Sequence, residues 1–167
     1  MAENNEGILM IKYLIFLCLS FSAFSTGYEA EFPKGPVDEL TPGSLCIRPS
    51  EYRYPERIPY CERNVDTHQK EGIFKEYRQL GFRLNPNDRK NYKIDHLIPL
   101  CAGGSNREDN LWPQHVSIYT QTDPLEGIGC EKLKSGRIKQ AELVELILAA
   151  KKNLRLVPET LSYLTRI

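Results

Sequence analysis

The stretch from Tyr92 to Gln114 constrains this chain more than any other. It begins with a short apolar run, Ile94, Leu97, Ile98 and Leu100, broken by an adjacent acid and imidazole, Asp95-His96. A carboxylate buried beside an imidazole in an apolar strand costs free energy unless both are paired or bound to a metal. Gly103-Gly104-Ser105-Asn106 follows, a turn sequence in which glycine supplies positive φ and the polar side chains bond the local backbone. Asn110-Leu111-Trp112 is a second strand-like run, ended by Pro113. The unit reads as strand, loop, strand, with a polar pair held at the end of the first strand. Adjacent residues on a regular strand point to opposite faces. A single site that uses both Asp95 and His96 therefore requires the strand to end or distort there, and Pro99 and the two glycines lie just beyond.

Asp95-His96, Pro99, Gly103-Gly104, Asn106 and Asn110-Leu111, in that order, resemble the HNH endonuclease family with its ββα-metal fold. The motif spans about thirty residues. The flanks, Ile58 to Val65 and Thr122 to Glu126, look like a secreted bacterial branch of that family. The resemblance implies that Asp95 binds a divalent metal and that His96 is the general base. It also implies that Asn110, fourteen residues after the histidine, ties the loop to the histidine and so orients the base. Many members carry a further ligand, His or Asn, nine residues after the central asparagine. That position here is Tyr119, a poor ligand for a hard cation. His115 and Asp123 are the candidates that remain for the metal, with Gln114 and Thr122 nearby. A capping role already explains Asp123, and a lone histidine such as His115 is more often a surface or hydrogen-bonded residue than a ligand.

The chemistry of phosphodiester hydrolysis agrees with this residue set. A neutral imidazole takes a proton from water near neutral pH. A hard cation spreads charge on the phosphoryl oxygens and assists the leaving oxygen. Carboxylate and amide oxygens favour Mg²⁺ or Mn²⁺, with Ca²⁺ as an alternative and Zn²⁺ another if His115 also binds.

At 167 residues the chain has room for one ordinary domain. Its 22 Lys and Arg balance 22 Asp and Glu, so the total charge carries no signature of a nucleic-acid binder and only local patches count. One patch is visible: Lys75 to Lys93 is rich in Lys and Arg and leads into the motif. Arg89, Lys90 and Lys93, with Arg107 in the loop, are the candidate phosphate contacts; an ordinary solvated face is the competing reading.

Residues 1–27 read as a cleaved secretory signal, with Lys12 before the apolar run Tyr13 to Phe21 and small residues after it. Glu3 and Glu6 are out of place in a signal's first segment, so Met10 is a better start than Met1. Cys18 lies in that segment, which leaves Cys46, Cys61, Cys101 and Cys130. Four cysteines allow three pairings. Pairing nearest neighbours gives Cys46–Cys61 and Cys101–Cys130. Residues 28–65, with many prolines, read as extended chain tied by the first bridge.

The remainder, 66–167, is expected to hold the HNH-like domain, its ββα core at about 91–134. A helix from Asp66 to Leu80 is capped by Asp66 or Thr67 and ended by Gly81. Asp123, Pro124 and Glu126 read as a helix start, with Asp123 as N-cap. That helix runs to Lys134 and carries Cys130. A further helix at 139–153 has Leu143, Ile147 and Ala150 on one stripe and is assigned no chemistry. Trp112 is assigned to the core and Asn106 to the turn.

The sequence thus predicts an α+β fold and a secreted or periplasmic endonuclease. Its substrate is expected to be DNA, and RNA as an alternative, with little sequence preference. No stable membrane association is expected after signal cleavage, and the oligomeric state is left open. Two other readings compete: a secreted binding or structural module that keeps the HNH frame without turnover, and an antibacterial effector nuclease.

Overall fold

The computed structural model describes residues 30–167; the expected signal segment at 1–27 lies outside them. The fold is α+β. A small hairpin, β1 (Glu51–Arg53) with β2 (Ile58–Tyr60), precedes α1 (Thr67–Gln79). The central hairpin, β3 (Tyr92–His96) with β4 (Leu111–His115), follows, and then α2 (Val116–Lys134), α3 (Gln140–Lys152) and α4 (Val157–Arg166). Both hairpins are antiparallel.

Local sequence sets most of these boundaries. The Asp66 carboxylate accepts the Gln69 N–H at 2.8 Å and starts α1. Ile73, Phe74 and Tyr77 form its buried stripe. Gly81, at φ +101°, leads the chain away from the helix end. On α3, Leu143, Ile147 and Ala150 are buried as the apolar spacing predicts. The chain after Pro158 is helical, within α4.

One boundary differs from expectation. The second long helix starts at Val116, not at Asp123, and runs unbroken to Lys134. His115 caps it: its Nδ1 accepts the Ser117 N–H at 3.2 Å. Pro124 lies inside the helix, where a missing N–H and ring clash cost about 3 kcal/mol. Pro124 and Thr120, the residue whose carbonyl loses its donor, are both exposed, so water can serve that carbonyl. Ile118, Thr122, Leu125, Gly129 and Leu133 bury the opposite face, and that packing outweighs the local stop signal.

The core has two parts. Phe32, Val37, Phe74, Tyr77, Leu97 and Trp112 belong to the first, which joins α1 to the central hairpin. Ile98, Leu125, Leu143, Ile147 and Leu164 belong to the second, among α2, α3 and α4. Trp112 is fully buried, as expected. The central hairpin thus has helices on both sides.

Both disulfides pair as the sequence predicts. Cys46–Cys61 closes the extended segment onto β2, and Cys101–Cys130 clamps the loop after β3 to α2. No helix among the described residues is long and apolar enough to cross a membrane.

Candidate active site

The loop between β3 and β4 is shaped by Gly103, Gly104 and Asn110. Gly103 takes φ +83°. Gly104 is required by space: a Cβ there would fall 1.8 Å from the Ile98 carbonyl oxygen and 2.9 Å from Asn110 Nδ2. Asn110 is fully buried. Its Oδ1 accepts the Ile98 N–H at 2.9 Å, and its Nδ2 donates to the carbonyls of Ile98 and Ser105 at 3.0 and 2.9 Å. Asn110 therefore closes the loop on itself just after His96.

The side chain that touches the imidazole is Asn106. Its Nδ2 donates to the Glu62 carbonyl at 2.7 Å, which leaves Oδ1 to face His96 Nε2 at 3.0 Å. Gln69, on α1, donates to the Asn106 carbonyl at 2.7 Å and holds it from the other side. The other imidazole nitrogen, Nδ1, lies 3.2 Å from Arg63 Nη1, and Arg63 Nη2 donates to the Ile94 carbonyl at 3.1 Å. A guanidinium only donates and Asn106 Oδ1 only accepts, so this network sets one tautomer. Nε2 carries the proton and Nδ1 presents the lone pair. Burial lowers the pKa of His96 to about 4, with Arg63 adding to the effect against the bond from Asn106, so the ring is neutral at pH 7.

His96 itself is buried, and Asn106 and Arg63, which cover its ring, line an open cleft. One hollow, of about 540 Å³, is lined by Arg48, Gln69, Asn106 and Arg107 among others. A second, of about 480 Å³, shares Arg48 and Asn106 and adds Arg63 and Glu62. The Cys46–Cys61 bridge brackets Arg48 and stands two residues before Arg63, so it fixes the wall that both arginines rise from.

Asp95 faces a different environment. The strand stays regular through His96, and the two side chains are engaged by different partners. Lys151, on α3 and fully buried, donates to Asp95 Oδ2 at 2.8 Å, to the His96 carbonyl at 2.6 Å and to Glu126 Oε1 at 2.5 Å. Lys93 lies 3.2 Å from Asp95 Oδ1 and 2.5 Å from Asp123 Oδ1. Against the cost of burial, Lys151 and Lys93 hold the Asp95 carboxyl below its ordinary range. Burial, with the Asp95 charge, pushes Glu126 up to about 7 against the pull of Lys151.

Asp95, Asp123 and Glu126 are the described acids that come close enough to share an ion, with ligand atoms within 4.8 Å of one another. The arrangement does not fit a divalent cation. Each of the three carboxylates already holds an ammonium group, and both Asp95 oxygens are taken. Tyr119 adds nothing for a metal; its ring lies 4.9 Å below Lys93 Nζ.

The remaining candidates are dispersed. His115 pairs with Tyr92, at the far end of the hairpin from the His96–Leu111 pair, and stacks on Phe32 with centroids 4.0 Å apart. Asp123 is not a cap but lies mid-helix on α2, exposed and bound to Lys93. Of the four expected phosphate contacts, Arg107 lines the cleft and also pairs with Asp109 at 3.0 Å. Arg89 lies over the Phe74 ring at 3.7 Å in a separate hollow. Lys90 is exposed in the turn before β3. Lys93 belongs to the acid cluster.

Three important residues escaped the sequence reading. Arg48 and Arg63 had only their closeness to Cys46 and Cys61 to mark them. Lys151 left a clearer sign, since Leu143, Ile147 and Lys151 are spaced by four, and a lysine on an apolar stripe needs buried partners. No protein-family model, curated protein or solved structure matches this chain.

Proposed function

We propose that this chain is an exported HNH-type endonuclease that hydrolyses phosphodiester bonds of DNA or RNA in the arginine-lined cleft over His96. The observation that carries the reading is the His96 environment. A neutral imidazole is locked in one tautomer, and its lone pair faces a guanidinium at 3.2 Å. A base and a phosphate ligand thus stand side by side. A phosphate entering the cleft draws Arg63 toward its oxygens and uncovers Nδ1. His96 Nδ1 then takes a proton from water, and the resulting hydroxide attacks phosphorus. The bond to the leaving oxygen breaks, and that oxygen takes a proton from solvent. Arg63 stabilises the charge that develops on the phosphoryl oxygens. Asn106 keeps the proton on Nε2 throughout. Arg48 and Arg107 provide further phosphate contacts, which carry no sequence information and accord with low specificity. The two disulfides and the expected signal segment support export to an oxidising compartment.

A second reading, a secreted module without turnover, rests on the sealing of Asp95 by two lysines. Cleavage of labelled single- and double-stranded substrates by the oxidised protein separates the two. His96→Ala is expected to lose about 10²–10⁴-fold in rate, with Arg63→Ala close behind and the fold unchanged by circular dichroism. Equal rates in parent and His96→Ala would end the nuclease reading in favour of the module.

A further inference from the structure

We infer that the Lys151 ammonium is the resident cation of the Asp95–Glu126 site, so that the folded protein holds no divalent ion there. The geometry around Lys151 is the same whether or not the cleft cleaves anything. An ammonium has three N–H donors. Lys151 spends them on Asp95 Oδ2 at 2.8 Å, the His96 carbonyl at 2.6 Å and Glu126 Oε1 at 2.5 Å. Two carboxylate oxygens and a backbone carbonyl form a ligand set that a hard cation would also take, at about 2.0–2.6 Å. Ion and ammonium therefore compete for one position. The ammonium is delivered by α3, whose Leu143, Ile147 and Ala150 pack into the core, and the Lys151 side chain is itself fully buried.

Lys93 does the same at the rim. It spans Asp95 Oδ1 and Asp123 Oδ1 and lies over the Tyr119 ring. Two ammonium groups thus stand among three carboxylates, and the Asp95 oxygens are all in use. A dication brought into this space meets two positive charges at contact distance instead of an open acid pair.

Removing the internal cation should therefore create the site that it fills. Lys151→Met keeps most of the buried stem and leaves Asp95, Glu126 and the His96 carbonyl facing one another.

The experiment is a Mn²⁺ titration followed by electron paramagnetic resonance, with thermal melts with and without the ion. The samples are the oxidised parent, Asp95→Asn, Lys151→Met and Lys151→Met with Asp95→Asn. The parent is expected to bind no Mn²⁺ up to about 1 mM, the weak end of carboxylate sites, and to melt at the same temperature with or without it. Lys151→Met should bind one Mn²⁺ at least about 100-fold more tightly than the parent. Its melting point should rise with the ion, because ligand binding to the native state stabilises it. The second substitution should abolish both gains. Stoichiometric binding by the parent that is lost in Asp95→Asn would overturn the inference. So would a folded Lys151→Met with no gain in affinity. If Lys151→Met folds only when refolded with Mn²⁺, that supports the inference, and if it folds in neither condition, the parent titration decides alone.

Discussion

His96 and Asp95 are neighbours in the chain and strangers in the structure. His96 lies buried beneath Asn106 and Arg63, which line a cleft beside a disulfide-tied loop, and its ring is neutral, bonded to one amide and one guanidinium. Asp95 looks into the helical side, charged and closed off by two lysines. The reason is the two-residue period of a strand, which β3 keeps through His96. The difference teaches that an Asp-His dipeptide fixes two side chains on two faces, and the residues that reach them from elsewhere decide what each does. From the cleft side come Arg63 and Asn106. From the helical side come Lys151 and Glu126.

The largest expected effect that separates the faces is on stability. Lys151→Met leaves Asp95 buried without its main partner and should cost about 3–5 kcal/mol. Arg63→Ala loses bonds at the edge of an open cleft and should cost about 1 kcal/mol. Urea denaturation of both variants measures the contrast. Equal costs would mean that Lys151 is not the keystone of the helical side.

The two disulfides sharpen the same comparison. Each closes a loop, with separations of 15 and 29 residues, and each should contribute about 3 kcal/mol in the chain-entropy model. Their stability effects are thus similar, but their functional effects should differ. Replacing Cys46 and Cys61 by Ser frees the wall that carries Arg48 and Arg63, and should lower cleavage more than tenfold while the remaining protein stays folded. Replacing Cys101 and Cys130 loosens the clamp on α2 and should lower the melting point with a smaller loss of rate. Matching losses of rate would break the assignment of one bridge to each side.

These bridges were legible in the sequence, and so was much of the fold. Asp66 and Gly81 bounded α1 because capping is a local matter. The stripe on α3 and the strand–turn–strand unit were equally local, since period and turn chemistry are carried by neighbouring residues. The start of α2 was not legible. Asp123-Pro124 is a good local start signal, and it lost to packing that the sequence does not display. The candidate site was legible only in its centre. His96, Asp95 and Asn110 stand out, but Asn106 reads as a turn former in a Gly-Gly-Ser-Asn run, although it is the side chain that bonds the imidazole. Arg63 and Lys151 lie 33 and 55 residues from His96, and nothing local tells which face each approaches.

The faces should also respond oppositely to pH. His96 titrates near 4 in the fold and near 6.5 when unfolded, so its contribution is present above 6.5 and is lost as pH falls to 4. A shift of that size corresponds to about 3 kcal/mol. Glu126 has the opposite sign: raised to about 7, it contributes fully below its unfolded value of 4.5, and that contribution is lost as pH rises through 7. Between pH 4.5 and 6.5 the two slopes oppose each other. His96→Gln should make stability fall more with rising pH than in the parent, and Glu126→Gln should make it rise more. Urea midpoints at the two pH values test this, and a shared direction of change would show that one of the two groups is misassigned.

The smallest expected effect discriminates most sharply between an ion pair and a metal site. Asp123 is exposed and meets Lys93 at the rim of the acid cluster, with side chains 47% and 33% accessible. Exposed pairs contribute about 0–1 kcal/mol, so Asp123→Asn should leave stability almost unchanged. It should leave cleavage within about twofold of the parent, because the proposed chemistry runs through the other face. A metal ligand behaves differently: its loss removes charge from a coordination shell and takes activity with it. The lysines make the difference readable. In an ion-pair cluster, removal of Asp123 leaves Lys93 free to keep Asp95 and leaves Lys151 untouched. A near-silent Asp123→Asn beside an inactive His96→Ala would therefore assign the chemistry to the cleft alone. An inactive, well-folded Asp123→Asn would join the two faces into one site and require β3 to distort on binding substrate.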